Sequence, residues 1–178
     1  MSTLYGISHN NEDLTIEQIH TLIEYVGHQN AEIRLSLVHC LFGIETEPAI
    51  RTLIELSKDD DPSIRDWATF GLGTQLEIKS EVISNALWDR VNDENQEVKL
   101  EAIVGLAIRG DKGIKEIIIN ELKRGEHSTV LYDAIEYLND KSILSHLERQ
   151  LQNSLKDPDI PQNWLTDLES TIKLLKDN

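Results

Sequence analysis

Apolar residues recur along the chain at positions i, i+4 and i+8. One copy of this pattern consists of Ile64, Ala68 and Leu72. There are five copies, and their first positions lie 31, 34, 32 and 34 residues apart. An apolar series with this spacing forms one stripe of an α-helix, so the sequence predicts five amphipathic helices at a regular interval. The stripes are Ile33, Leu37, Leu41; Ile64, Ala68, Leu72; Val98, Ala102, Leu106; Val130, Ala134, Leu138; and Trp164, Leu168, Ile172.

A second amphipathic segment precedes each stripe, so the repeating unit is a pair of helices. Helix starts are indicated by a capping box between Thr15 and Gln18 and by Pro62 in a first turn, and Gly125 lies where a helix C-terminal cap belongs. No alternating pattern typical of strands occurs. The sequence predicts an all-α fold with a polar N-terminal arm at 1-14 and one domain over 15-178, composed of pairs at about 15-43, 46-74, 79-109, 112-139 and 141-175.

The charge of the chain is strongly negative. Its 178 residues include 17 Lys and Arg against 32 Asp and Glu, a net charge of −15. Residues 1 to 61 have 11 acids and 3 bases, and residues 62 to 178 have 21 acids and 14 bases. Because phosphate binding depends on clustered cations, we expect no nucleic-acid partner. No apolar run reaches membrane-spanning length, no signal sequence begins the chain, and the single cysteine, Cys40, suits a reducing compartment, so we expect a cytoplasmic location and no membrane.

Polar residues at the helix-pair boundaries resemble a known repeat. In three successive pairs an Asn or Asp residue is followed four residues later by Arg or Lys. Two of these occurrences lie in the stretches DPSIRDWATFGLG at residues 61 to 73 and NQEVKLEAIVGLAIRGD at residues 95 to 111. This pattern is similar to the bacterial HEAT-like repeat family (PBS-lyase-type HEAT repeats), over about residues 15 to 175. The resemblance implies a right-handed α-α superhelix (HEAT-like solenoid) in which the Asp and Arg positions join neighbouring repeats. The structural inter-repeat residues are then Asn30, Arg34, Asp61, Arg65, Asn95 and Lys99.

The fourth pair departs from this pattern. His127 and Leu131 occupy the two positions that hold Asp61 and Arg65 in the second pair. We therefore expect the link between the third and fourth pairs to depend on apolar packing. Gly71 and Gly73 lie within a helical stripe, where we expect them to allow close helix packing.

The enzymes that share HEAT-like folds each need residues that can be sought here. Deoxyhypusine hydroxylases use repeated His-Glu dyads, whereas the only adjacent pair is the reversed Glu126 and His127, and the six histidines have no metal-ligand spacing. The HEAT-like DNA glycosylases use a cationic inner face, which this acidic chain lacks. Phycobilin lyases share the scaffold only. We expect no catalytic residues, no cofactor and no metal, with a lyase-type function as the alternative.

The predicted surface of the second helices combines apolar and acidic positions. In a helical stack these helices line the concave side, and their outward columns are unusually apolar for a solvated face. The columns have two interpretations, a binding groove or packing between repeats. Because aromatic residues dominate interface energetics, Trp67, Phe70 and Tyr132 are the leading contact candidates. The protein-binding candidates are Leu35, His39, Asp66, Trp67, Phe70, Leu100, Glu101, Val104, Tyr132 and Glu136.

Residues Lys58 to about Leu151 are similar, in the order of their motifs, to HEAT-repeat immunity proteins associated with Rhs-type polymorphic toxins. The motifs are RDWATFGLG, NDENQEVKLEAIVGLAIRGDK, ELKRG and LNDKSILSHLERQL. The resemblance implies a non-enzymatic scaffold that binds and neutralises a cognate toxin. An acidic surface suits a basic toxin domain, which it would attract by electrostatic steering. A general protein-binding adaptor and a purely structural module are the other readings that the sequence leaves open.

Overall fold

The structure is a computed structural model that describes residues 14–125 and 127–177. Over these residues all regular structure is helical, which confirms the predicted all-α class. The helices are α1 Ile16–Ile23, α2 Ala31–Cys40, α3 Glu47–Leu56, α4 Pro62–Thr74, α5 Glu81–Arg90, α6 Gln96–Ile108, α7 Lys115–Arg124, α8 Thr129–Leu138, α9 Leu144–Ser154 and α10 Gln162–Asp177, with single 3-10 turns at Lys112–Ile114 and Lys141–Ile143 before α7 and α9.

The ends of the helices follow from their capping residues. Thr15 and Gln18 form the predicted capping box, each side chain accepting a hydrogen bond from the other residue's backbone N–H. Pro62 begins α4, where its missing N–H costs nothing. Gly125 ends α7 with φ +82°, a left-handed conformation that a side chain would strain. Each of the five predicted pairs contains two of the observed helices.

The apolar stripes point into the packed interior. The second and third positions of all five stripes are buried, and the first position is buried in α4 and α6 and half-buried elsewhere. Ala68 and Leu72 are fully covered, as are Ala102 and Leu106. Removing these apolar surfaces from water supplies the main stabilisation of the helix pairs, at roughly 25 cal/mol per Å² buried.

The chain divides into two compact units, residues 1–105 and 106–178, and the boundary lies inside α6. In the first unit α4 packs against α2, α3 and α5; in the second α10 packs against α8 and α9, and α7 against α8 and α9. The sequence predicted one domain over 15-178. The predicted arm at 1-14 lies, except for Leu14, outside the described residues.

Two glycines bring α4 and α6 close together within the first unit. A Cβ on Gly105 would lie 2.6 Å from the Gly73 Cα, and one on Gly73 would lie 3.0 Å from the Gly105 Cα. A Cβ on Gly71 would lie 3.0 Å from the ring of Phe42. The prediction that Gly71 and Gly73 serve close helix packing is thus confirmed.

None of the helices in the described part of the chain is long and apolar enough to cross a bilayer.

Candidate protein-binding surface

Arginines on α2 and α4 fix the geometry of the first unit. Arg34 of α2 donates from Nε and Nη2 to the two carboxylate oxygens of Asp59, at 2.7 and 2.8 Å, and from Nη1 to the carbonyl of His28 at 2.7 Å. Asp59 also accepts the N–H of Asp61 at 2.9 Å. The fork of hydrogen bonds from Arg34 holds the pKa of Asp59 below its usual range. This pair ties α2 to the turn before α4.

The same arrangement recurs one pair later. Arg65 of α4 donates from Nε and Nη2 to Asp93, both at 3.0 Å, and from Nη1 to the carbonyl of Asp59 at 2.9 Å. Both side chains are buried, at 9% and 5% exposure. Burial acts to raise the pKa of Asp93, but the hydrogen bonds from Arg65 and the Asn95 N–H hold it below its usual range. We call these two arginine–aspartate pairs the ladder.

The ladder uses different acids from those in the predicted inter-repeat set. Asp61, Asn30 and Asn95 cap their own helices, each accepting a backbone N–H two residues later at 2.9 Å. Arg34 and Arg65 instead reach the aspartates that lie two residues before the next cap. The prediction that Asp61 joins neighbouring repeats is therefore corrected. Its side chain caps α4 instead, because it accepts the backbone N–H of Ser63.

The sequence positions that form the ladder change after the second pair. Lys99, which continues the arginine positions, donates to Gln96 at 3.1 Å. In the sequence, the position that continues Asp59 and Asp93 is Gly125, which has no side chain. The chain therefore has neither the arginine nor the aspartate of a third such pair at these equivalent positions.

Inside the second unit, His127 takes part in a polar network. Its Nδ1 lies 3.1 Å from the Tyr132 hydroxyl and its Nε2 3.1 Å from Ser154 Oγ. Its ring stacks on Trp164, with ring centres 5.6 Å apart and planes 16° from parallel. The network connects α8, α9 and α10. Both ring nitrogens of His127 therefore have polar neighbours within the second unit.

Four aromatic rings meet where the end of α2 faces the middle of α4; we call them the aromatic cluster. His39 lies 5.1 Å from Trp67 and 5.4 Å from Phe42, and Phe70 lies 5.7 Å from each of Trp67 and Phe42, measured between ring centres. These contacts are edge to face, the favoured geometry of aromatic pairs. Trp67 is 37% exposed, while Phe42 and Phe70 are half-buried. His39 is exposed as well, so the cluster presents aromatic surface to solvent at His39 and Trp67.

An acidic side chain adjoins the aromatic cluster. Asp66 precedes Trp67 on α4 and lies one turn before Phe70, on the same helix face. Burial, with a smaller contribution from the charge of Glu97, raises the pKa of Asp66 to about 6. Its Oδ1 is buried and has no hydrogen-bond partner among the described residues. Asp66 is thus a carboxylate placed where its charge is poorly solvated.

The structure brings part of the predicted contact set together and separates the rest. His39, Asp66, Trp67 and Phe70 meet in or beside the aromatic cluster, and Leu35 and Glu101 are half-buried elsewhere on α2 and α6. Glu136, in the second unit, accepts a hydrogen bond from Thr171 at 2.8 Å.

Three of the predicted contact residues are not on the surface. Leu100 and Val104 are each 6% exposed and Tyr132 is 3% exposed. Their burial corrects the prediction that they contact a partner, because neighbouring helices already cover them. For Leu100, Val104 and Tyr132 the packing interpretation of the columns is the one that the structure supports.

Sequence reasoning missed Phe42, although its ring contacts three of the others. Phe42 lies two residues after the last residue of α2 and therefore falls outside the i, i+4 columns. A signal was present, since Phe42 lies three residues after His39, close to one helical turn.

The negative charge is concentrated in the unit that contains the aromatic cluster. Residues 1–105 hold 19 acids and 7 bases, a net charge of −12, whereas residues 106–178 hold 13 acids and 10 bases, a net charge of −3. Five of the seven bases form ion pairs with acids of the same unit: Arg34, Arg51, Lys58, Arg65 and Arg90. The surroundings of the cluster are therefore negative on balance. Within the described ranges, no group of three or more His, Cys, Asp or Glu is arranged to hold a metal ion.

Comparison with known proteins gives two kinds of likeness. No protein-family model matches the chain. The proteins called YibA of Escherichia coli strains K12 and O157:H7 are each 29% identical to it over 123 residues, which are 69% of this chain and 44% of YibA. The chain thus spans less than half the length of these curated relatives. A crystal structure of Escherichia coli YibA matches with a TM-score of 0.65 and 25% identity, over 89% of this chain and 55% of that one. The chain is therefore similar to YibA in both sequence and helical fold.

Proposed function

We propose that the chain is a non-enzymatic, HEAT-like scaffold that binds a basic protein through the aromatic cluster. In this proposal the helix pairs form a right-handed α-α superhelix. The specific role that we propose is that of an immunity protein, which binds a cognate toxin and blocks it.

The observation that carries the proposal is the exposure of Trp67 within the aromatic cluster. Trp67 is 37% exposed although three other rings surround it. An isolated exposed aromatic residue needs no explanation, but a contiguous aromatic surface is typical of an interaction site. Tryptophan is also among the residues that contribute most to binding energy at protein interfaces.

The charge of the first unit supports a basic partner. With a net charge of −12 it attracts cations over a range set by the Debye length, about 8 Å at physiological ionic strength. Such a field accelerates encounter with a complementary protein and disfavours acidic partners.

The ladder supports the repeat scaffold. The same ion-pair geometry occurs in successive helix pairs, between Arg34 and Asp59 and between Arg65 and Asp93. The two arginines are 31 residues apart and the two aspartates are 34 residues apart. A repeated link between neighbouring pairs is what a stack of structural repeats requires. The immunity role depends, in addition, on the resemblance of residues 58 to 151 to immunity proteins, and a lyase-type function has support only from the scaffold.

The proposal is tested by capturing partners from the native cell with immobilised protein. We expect the wild type to retain a basic protein that elutes as salt is raised, because exposed charges are screened. Trp67→Ala should lose this protein while the matched control Tyr137→Ala retains it, since Tyr137 is an exposed aromatic residue of the other unit, at 59% exposure. Retention that is insensitive to salt, or equal loss in both variants, would contradict the proposal.

The immunity role has its own test. The captured protein is expressed alone and together with this chain in a heterologous host. Growth arrest in the first case and normal growth in the second are expected for a toxin and its inhibitor. A captured protein that is harmless when expressed alone would leave the binding function in place and replace immunity with an adaptor role.

A further inference from the structure

The aromatic cluster and Asp66 together have the chemistry of a receptor for one cationic side chain. The rings of His39 and Phe70 lie nearly perpendicular to that of Trp67, at interplanar angles of 71° and 86°. The face of an indole carries negative electrostatic potential and attracts cations that lie within about 6 Å of the ring. Exposure of Trp67 leaves part of this ring open to a ligand.

Asp66 supplies the full negative charge that such a receptor needs. It is one residue from Trp67 and one turn from Phe70, and no described residue forms an ion pair with it. An ionised carboxylate with a buried, unsatisfied oxygen is costly unless a partner compensates it. Asp66 as a whole is half-buried, so a cation from another molecule can compensate the charge of the carboxylate without reaching the buried Oδ1.

Three arginines of the first unit already have partners of their own. Arg34 and Arg65 are held in the ladder, and Arg90 is bonded to Asp93 and to the Ser57 carbonyl. Glu97, whose charge reaches Asp66, makes the position still more negative. The charge of the site is therefore complementary to a basic group on another molecule.

Guanidinium fits this site better than ammonium does. A guanidinium group is planar, stacks on aromatic faces and is weakly hydrated. An ammonium group is strongly hydrated and loses more by leaving water. We propose that Trp67, Phe70 and Asp66 form the binding site for an arginine side chain of the protein partner. This inference rests on the proposed function and names the chemical group that the partner inserts.

The test uses N-acetyl-arginine methylamide as the probe and follows the indole N–H signals of the full chain by NMR. The matched probes are the lysine and citrulline analogues; citrulline keeps nearly the shape of arginine without its charge. We expect a saturable shift of the Trp67 signal by the arginine probe with a dissociation constant on the order of 10 mM, about fivefold weaker binding of lysine and none of citrulline.

Variants separate the roles of the residues. Asp66→Asn, which is nearly isosteric, should weaken the arginine probe about fivefold. Asp133→Asn removes one charge from an exposed acid of the other unit and should leave binding unchanged. Trp67→Phe keeps an aromatic ring at the site and should bind more weakly than the wild type, because indole is the best cation acceptor among the rings.

Several results would overturn the inference. They are equal binding of citrulline and arginine, equal binding of lysine and arginine, unchanged affinity in Asp66→Asn, or no saturable shift of the Trp67 signal up to about 50 mM probe. If the arginine probe fails while partner capture still depends on Trp67, the inference is wrong and the proposed function stands. If the probe binds and no basic protein is captured, the proposed function is wrong and the arginine site stands.

Discussion

Removal of the Arg65 guanidinium tests the ladder. Arg65→Met keeps most of the aliphatic stem and deletes two hydrogen bonds to Asp93, one to the carbonyl of Asp59 and one to the carbonyl of Asp60. Asp93, only 5% exposed, then retains the N–H of Asn95 and a long contact of 3.5 Å to Arg90. Leaving a buried charge without its partner costs about 3–5 kcal/mol. Because Arg90 stays near, we expect a loss of about 3 kcal/mol in the free energy of unfolding.

The assay is urea unfolding at pH 7, followed by circular dichroism and by tryptophan fluorescence, since the two units can unfold in separate transitions. The control is Arg51→Met, which breaks the exposed i,i+4 pair with Glu47 and should cost less than about 0.5 kcal/mol. Adding Asp93→Asn to Arg65→Met should recover part of the loss, because the stranded carboxylate is gone. A loss under about 1 kcal/mol for Arg65→Met, or no recovery in the double variant, would refute the assignment.

Two further predictions concern α4 and α6. Burial raises the pKa of Asp66 from 3.8 to about 6, so its ionised form destabilises the fold above pH 6 and this penalty fades as pH falls toward 4. Because solvent screens part of the charge, Asp66→Asn should raise the free energy of unfolding by about 1 kcal/mol at pH 8 and by almost nothing at pH 4, as measured by urea unfolding. The same increase at both pH values would contradict burial of the charge as the cause. Gly105→Ala gains about 1 kcal/mol in helix propensity but places a Cβ 2.6 Å from the Gly73 Cα; overpacking should win, with a net loss of about 1–2 kcal/mol, and a stabilised variant would show that the two helices separate readily.

The helices were predictable because their signals are local. The i, i+4, i+8 stripes identify which face of each helix is buried, and the capping box at Thr15 identifies a helix start without any tertiary information. The stripes gave the right residues in α4 and α6, where all three positions are buried.

The sequence did not predict Asp59 and Asp93 as the partners in the ladder, because those partners depend on contacts between helix pairs. Asp59 and Asp93 each lie two residues before a cap, so their spacing was visible in the sequence. The repeated Asn or Asp position predicted Asp61 instead, but the side chain of Asp61 accepts a hydrogen bond from its own helix. A side chain's nearest partner across a helix pair is set by the turn between helices, which periodicity does not describe.

The candidate site was predictable only in part for a similar reason. The periodicity predicts Tyr132 in an outward column of α8 and Trp67 on the flank of α4, yet Tyr132 is 3% exposed and Trp67 is 37% exposed. Helical periodicity gives the direction of a side chain but not the neighbour that covers it. The Tyr132 hydroxyl contacts His127, whereas Trp67 contacts the other rings of the aromatic cluster and stays partly exposed.

In the proposed interaction, the aromatic cluster of the acidic first unit binds a basic protein. The most direct measurement is the dissociation constant for the captured partner by isothermal titration calorimetry, with wild type, Trp67→Ala and the control Tyr137→Ala. We expect the dissociation constant to rise at least about tenfold for Trp67→Ala and less than about twofold for Tyr137→Ala, and every affinity to fall as salt is raised. Equal affinities for Trp67→Ala and the wild type would contradict it.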